Sequence, residues 1–232
     1  MRHRFFSFIV PAYNEEKVIE DTLGHLVAIE YPQNRYEIIV VENGSTDRTF
    51  EVAQTYASEH CHVYQSAKGV SHARNVGLAK RSPEAEWTIA MDADTFVRKN
   101  FLNELNTYLD AHPEVSFGTT EITFDDYSRT GRFWSWYTNV TDRALKMLHR
   151  LHIVRVDLLS RVTYDERLVS GEDLHYSRDL AKIGKYFFMP TTQVISSARR
   201  YVQKGYIKMF FLNMRSGLPR FILKHTDWEV VR

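Results

Sequence analysis

Apolar positions along the chain fall into two alternating kinds of run. Short β-rich runs at 5–10, 36–41, 62–65 and 86–91 are separated by stretches of helical period at 15–29, 47–59, 71–80 and 99–109. Strands alternating with helices of this length predict βαβ units and a parallel sheet. Beyond Glu114 the rhythm changes. Residues 115–124 read as one more strand, and the aromatic-rich 131–151 as helix or irregular chain. A strand at 153–156, a helix from Gly171 to Ile183, and two late strands at 185–190 and 193–197 complete the pattern. In open α/β sheets the ligand sits beyond the carboxyl ends of the strands, so the turns after Val10, Val41 and Met91 are the places for chemistry.

Composition narrows the class. With 232 residues, 44% hydrophobic and 25% charged, the chain is an ordinary globular protein, sized for one α/β domain and a modest appendage. A net charge of +1 provides no field for nucleic acid, so no nucleic-acid partner is expected. One cysteine, Cys61, can form neither an internal disulfide nor a thiolate metal site, which fits a reducing compartment. The longest run free of Asp, Glu, Lys and Arg is 186–198, short of the roughly 18–20 residues a membrane span needs. Residues 1–4 pass into the first apolar run without a small-residue cleavage site, so no secretion signal is read and a cytoplasmic location is expected. No internal repeat or low-complexity segment is present.

The strand ends carry the informative residues. The first ends in Pro11-Ala12-Tyr13-Asn14-Glu15-Glu16, where Asn14 is expected to cap the following helix. The second ends in Glu42-Asn43-Gly44-Ser45-Thr46-Asp47, an acid and an amide at a strand terminus where an acceptor can read a base edge. The fourth ends in Asp92-Ala93-Asp94, and in extended chain the i, i+2 spacing puts both carboxylates on one side. So few hard oxygen donors suit Mg²⁺ or Mn²⁺ shared with a substrate's phosphates. Taken singly, each has a plainer reading. Asp92 and Asp94 can cap the next helix, Glu172 and Asp173 suit a helix amino terminus through the dipole, Arg74 can pair with a surface carboxylate, and Asn43 can be a turn residue before Gly44. His62, His72 and His175 have no convergent metal spacing, and Phe133, Trp134, Trp136 and Tyr137 read as core and lid.

In combination, the order and spacing of these segments resemble the family 2 glycosyltransferases over about residues 6–200. Pro11-Ala12-Tyr13-Asn14-Glu15 is similar to that family's opening motif, and Glu42 and Asn43 stand where it has two aspartates. Gly69-Val70-Ser71-His72-Ala73-Arg74-Asn75-Val76-Gly77 resembles its Ala-Arg-Asn segment, and Asp92-Ala93-Asp94 its D-x-D. Gly171-Glu172-Asp173 resembles the acidic motif that supplies a catalytic base, and Ser197-Ala198-Arg199-Arg200 a basic segment after it. The resemblance implies a GT-A fold: an α/β domain with a Rossmann-like, mostly parallel sheet flanked by helices and a smaller mixed region on the acceptor side. It implies nucleotide contacts from Pro11, Tyr13, Glu15, Asn43, Asp47, Lys68, Arg74, Asn75, Asp92, Arg199 and Arg200, a metal on Asp94, and a catalytic pair Glu172 and Asp173. Neighbouring helix positions point about 100° apart. Asp173 shares its side with Tyr176 and Leu180, so it is taken as the base, in a role Glu172 does not share.

The expected activity is a metal-dependent, inverting sugar transfer from a nucleotide-diphosphate sugar to a hydroxyl of a carbohydrate or lipid-linked acceptor. The donor is assigned to 1–110 and the acceptor to 111–200 of a single catalytic domain spanning 1–200. The competing readings are a sugar nucleotidyltransferase, which wants a Gly-rich loop with Arg and Lys directly after the first strand, and a nucleotide-binding module without catalysis. A basic, aromatic-rich helical tail at 201–232 follows. Between Arg199 and Lys224 it holds seven Lys and Arg and no acid. That segment is read either as helix packed on the domain or as a peripheral contact with the cytoplasmic face of a membrane through 201–224, broken at Pro219.

Overall fold

The computed structural model describes residues 2–168 and 171–216. In chain order the elements are β1 (Phe6–Ala12), α1 (Ile19–Val27), β2 (Tyr36–Glu42), α2 (Thr49–Gln54), β3 (Cys61–Gln65), α3 (Val70–Lys80), β4 (Trp87–Met91), β5 (Thr95–Val97) and α4 (Phe101–Ala111). Then come β6 (Phe117–Thr120), β7 (Thr123–Phe124), α5 (Arg129–Leu145), β8 (Leu151–Arg155), α6 (Glu172–Ala181), β9 (Tyr186–Met189), β10 (Val194–Ser196), α7 (Arg199–Lys204) and α8 (Tyr206–Ser216). The main sheet has the order β3-β2-β1-β4-β8-β6-β9. Its strands are parallel except β8, which runs antiparallel to both β4 and β6. A second sheet, β5-β10-β7, lies to one side.

Every residue of β1, β2 and β4 is buried. Parallel strands covered by helices on both faces lose the apolar-polar alternation and read as continuous apolar runs, which is why these three were plain in the sequence. The core divides accordingly. Phe6, Phe8 and Val10 point into one layer with α1 and α4, whereas Ile9, Ile39 and Val41 face α3 and α6 on the other. Gly77 lets α3 close on the sheet, because a Cβ there would meet Ile9 Cγ2 at 2.4 Å.

Several sequence expectations change. The run at 115–124 is two strands in two sheets, since the chain leaves the β9 ladder after Thr120 and β7 pairs with β10. Strand β5 was not anticipated. α1 starts at Ile19 rather than Glu15, with no side-chain cap, so Asn14 is not a helix cap. The aromatic stretch forms α5, ended by Lys146 in the left-handed region at φ 55°. Phe133 and Trp136 on it are 52% and 59% exposed, so they are not core, while Trp134 and Tyr137 pack against Phe210 of α8. Helical phase separates these pairs. The tail is helical and packed at its start. Tyr201 and Met209 join the same core as Phe6, and the 200/201 boundary falls inside α7. The break expected at Pro219 lies outside the described residues.

Candidate active site

The strand order reverses at β1, which has β2 on one side and β4 on the other. Connections leave in opposite directions there and open a crevice past the carboxyl ends of the strands. The loops after β1 and β2 are laced together at its floor. Asn14 sits in the left-handed region at φ 53°, which Asn tolerates, and its Oδ1 accepts from Thr46 N at 2.8 Å. Asp47 accepts from the Thr49 hydroxyl, from Thr49 N at 3.0 Å and from Glu16 N at 3.2 Å; burial raises its carboxyl, but these bonds outweigh it and hold it low. Glu42 accepts from Ser45 N and from Gln65 Nε2. Asp47 and Glu42 thus shape the loop.

Asn43 differs. Its N–H donates to Ala12 O at 3.0 Å, while its buried Oδ1 has no hydrogen-bond partner. A buried acceptor left so costs about 1–3 kcal/mol, which a ligand N–H would recover. Nearby, Lys68 Nζ lies 5.1 Å from the Tyr13 ring centroid, so the loops after β1 and β3 converge. Pro11 stays in β1, in register with Val41.

At the end of β4 the charges alternate. Arg74, buried on α3, bonds Asp92 Oδ1 at 3.1 Å. Arg150 Nη1 lies 3.3 Å from Asp92 and 3.7 Å from Asp94. Arg200 lies 3.8 Å from Asp94 and 3.2 Å from Glu15, and Arg199 bonds Glu15 at 2.5 Å. Cations and carboxylates therefore run in sequence from α3 through β4 to α7. Burial pushes Asp92 up, but Arg74 and Arg150 outweigh it and hold it low. For Glu15, burial prevails over Arg199 and its carboxyl is raised.

Arg74 also reaches α6. Its Nη1 lies 2.7 Å from Asp173 and 3.3 Å from Glu172, so these neighbours share one cation despite their different directions at the helix start. Burial raises the Asp173 carboxyl and Arg74 only partly offsets this, which makes it a proton acceptor of more than ordinary basicity. Asp173 Oδ1 also lies 3.4 Å from His152 Nε2. Burial and Arg74 keep His152 well below its usual range, so the ring is neutral. The Tyr164 hydroxyl, 2.6 Å away, donates to His152 Nδ1, and the Nε2 proton is donated to His149 O at 3.3 Å.

Asn75 is turned elsewhere. Its amide accepts from Tyr164 N at 3.0 Å and donates to Tyr164 O and Glu166, which holds the 164–166 loop rather than facing the crevice. One step along a helix is about 100°, so Arg74 and Asn75 cannot both point inward. Arg150 and His152 were missed by sequence reading. What brings them in is the antiparallel register Met91↔Leu151 and Ala90↔His152, for which no local signal exists.

Among the described residues, no three His, Cys, Asp or Glu side chains cluster as a metal site. Asp94 Oδ1 is nonetheless buried without a hydrogen-bond partner, with Asp92 two residues away. Two hard oxygen donors fit Mg²⁺ or Mn²⁺, which keep water and phosphate oxygens as their other ligands.

A model of the family described as Glycosyl transferase family 2 matches residues 7–168. The chain is 32% identical over 111 residues to the poly(ribitol-phosphate) beta-N-acetylglucosaminyltransferase TarS of Staphylococcus aureus, covering 46% of this chain and 19% of that protein. It is 24% identical over 226 residues to the dolichyl N-acetyl-alpha-D-glucosaminyl phosphate 3-beta-D-2,3-diacetamido-2,3-dideoxy-beta-D-glucuronosyltransferase of Methanococcus voltae, covering 88% of this chain and 70% of that one. The structure of S. aureus TarS in complex with UDP-GlcNAc aligns with a TM-score of 0.71 at 22% identity, over 83% of this chain and 58% of that one. The mannosyltransferase PcManGT from Pyrobaculum calidifontis, in complex with GDP-Man and Mn²⁺, aligns with a TM-score of 0.65 at 22% identity, over 94% and 66%. At this identity the structural likeness establishes the fold, which is GT-A as the motif order implied. The segment matched in sequence covers about a fifth of the length of TarS.

Proposed function

Because the chain belongs to glycosyl transferase family 2, we propose that it moves a sugar from a nucleotide-diphosphate sugar to an acceptor hydroxyl with inversion at C1, Asp173 acting as general base. The observation that carries this reading is the Arg74 guanidinium, which ties Asp92 of the D-x-D segment to Asp173 of α6 at 3.1 and 2.7 Å. Donor-binding and proton-accepting carboxylates therefore face one crevice. Asn43 Oδ1 is the acceptor available to an N–H of the nucleobase edge, close to the paired Tyr13 and Lys68.

Transfer breaks the bond between C1 and the phosphate oxygen, and the departing nucleoside diphosphate keeps the electron pair. The acceptor oxygen bonds C1 from the opposite face, and its proton passes to Asp173. Asp94, beside Asp92, would hold Mg²⁺ or Mn²⁺, which when bound would supply Lewis-acid stabilisation of the departing diphosphate. Arg150, Arg199 and Arg200 offer further positive charge where negative charge develops. The guanidinium of Arg74 holds the Asp173 carboxylate in place. Both relatives named above are named for β products, which inversion of an α-linked donor yields. Donor contacts come from 1–110, acceptor contacts from 111–200, and the acceptor is a carbohydrate or lipid-linked hydroxyl.

A nucleotidyltransferase is disfavoured by the segment 11–16, which has no Gly-rich, Arg/Lys-bearing phosphate loop. A module without catalysis is disfavoured by the bond from Arg74 that holds Asp173 in the same crevice as Asp92. The test is incubation with UDP- and GDP-sugars and Mn²⁺, followed by nuclear magnetic resonance of released or transferred sugar. The expected result is metal-dependent turnover giving the inverted anomer. Turnover should fall at least about 100-fold in Asp173→Asn with donor affinity kept. A retained anomer, or Asp173→Asn within a few-fold of the parent, overturns the mechanism. Failure to bind any nucleotide sugar overturns the function.

A further inference from the structure

Surface helices of a globular protein ordinarily put apolar residues inward and charge outward. α5 and α8 break this rule together. α5 turns Trp134 and Tyr137 toward α8, where Tyr206 stacks on Trp134 at 5.8 Å between ring centroids, yet its outer face carries Phe133, Trp136 and Val140, all exposed. α8 buries Met209 and leaves Ile207 and Phe211 71% and 63% exposed. The two outer faces are continuous through ring contacts: Trp136 to Phe133 at 5.8 Å, Phe133 to Trp134 at 5.7 Å, Trp134 to Phe210 at 5.7 Å and Phe210 to Phe211 at 5.5 Å.

Exposed cations outnumber acids around this ridge; Asp125 and Asp126 lie just before α5, where Asp126 accepts from the Tyr206 hydroxyl. The exposed charged residues of α5 are Arg129, Arg132 and Arg143, followed by Lys146, and Lys208 is exposed on α8. The one acid in α5, Asp142, is buried against His149, and the sequence of α8 contains none. A second copy of this chain would bring mainly like charges together, five exposed cations facing their equivalents, so self-association is the less favourable way to cover the surface. Aromatic side chains that insert beside cations that stay at the phosphates are what the boundary of an anionic bilayer accommodates.

We propose that the α5–α8 ridge is a peripheral docking surface for an anionic membrane. This goes beyond sugar transfer and stands or falls without it. The surface lies next to the crevice. α7, which holds Glu15 and Asp94 through Arg199 and Arg200, is joined to α8 by Gly205 alone. Docking therefore sets the crevice beside the headgroups, where a lipid-linked acceptor hydroxyl lies.

The experiment is cosedimentation of the full chain with vesicles of pure phosphatidylcholine and of equimolar phosphatidylcholine and phosphatidylserine, at low and high salt. Binding to the anionic vesicles alone is expected, falling as salt rises. Arg132→Gln and Lys208→Gln, exposed changes that leave folding intact, should each lower partition about five-fold. Phe133→Ser with Trp136→Ser should lower it at least about ten-fold with unfolding midpoint unchanged. Absence of binding to anionic vesicles overturns the proposal, as does partition insensitive to both sets of changes. Concentration-dependent self-association abolished by Phe133→Ser with Trp136→Ser, with no vesicle binding, assigns the ridge to a protein interface instead.

Discussion

Arg74→Met removes the cation at the centre of the crevice while keeping the length and apolar volume of the stem. Arg74 holds Asp92, Glu172 and Asp173 at 3.1, 3.3 and 2.7 Å, with its own side chain 3% exposed. At an effective dielectric of about 20, each contact is worth roughly 5–6 kcal/mol of Coulomb attraction before desolvation is subtracted. The carboxylates keep some access to water, and breaking such a buried pair costs about 3–5 kcal/mol net because the partners stay charged. The expected loss in urea unfolding near pH 7.5 is therefore about 3–5 kcal/mol. It should shrink on acidification. In the parent, Asp92 is held low, so its ionised form adds stability above its unfolded pKa and loses that contribution as pH falls through the lower folded value. In the variant Asp173, already raised by burial, also loses the offset that Arg74 provides, so its protonation relieves the variant as pH falls. The sharper readout is Asp173→Asn in both backgrounds. It should recover stability after Arg74→Met and do less in the parent, a coupling of about 1–3 kcal/mol. A loss below about 1 kcal/mol in Arg74→Met, or an identical effect of Asp173→Asn in both backgrounds, refutes the reading of Arg74 as shared counter-ion.

Asp94→Ala should abolish the Mn²⁺-dependent tightening of nucleoside diphosphate binding; calorimetry giving the same metal-dependent gain in the variant and the parent would count against Asp94. Burial opposes a charged His149, but Asp142 beside it prevails and its pKa is raised. The pair therefore adds stability that is full below about pH 6.5 and lost as pH rises through the folded value. Asp142→Asn should flatten unfolding midpoints between about pH 6 and 8, and an unchanged slope would contradict this. Gly77→Ala places a Cβ 2.4 Å from Ile9 Cγ2 and 3.3 Å from Val41 Cγ2. Overpacking of about 1–3 kcal/mol should exceed the helix-propensity gain of about 1 kcal/mol, so a variant more stable than the parent in urea would refute close contact of α3 with the sheet.

What the sequence determined by itself was local. The runs that became β1, β2 and β4 are apolar because both faces of a parallel sheet are covered, and the polar residues at their ends mark the crevice wherever the strands stack. The pair Asp92 and Asp94 was legible for the same reason, whereas Arg74 and the opening of α6 at Glu172 were picked out by the resemblance of their segments to the family's motifs. Residues within a few positions of a strand end or a helix start are placed by that element alone. Asn75 shows the limit, since its neighbour Arg74 points inward and only the phase of α3 against the sheet decided which of the two would. Arg150 and His152 belong to the tertiary structure. They meet Asp92 and Asp173 because β8 lies antiparallel beside β4, a pairing chosen by burial over the whole sheet and invisible in any window around residue 150. The contacts of Arg199 and Arg200 with Glu15 and the outward turn of Phe133 and Trp136 are of the same kind. Propensity acts over a few residues, whereas register and helical phase are settled by which faces the packed core can bury.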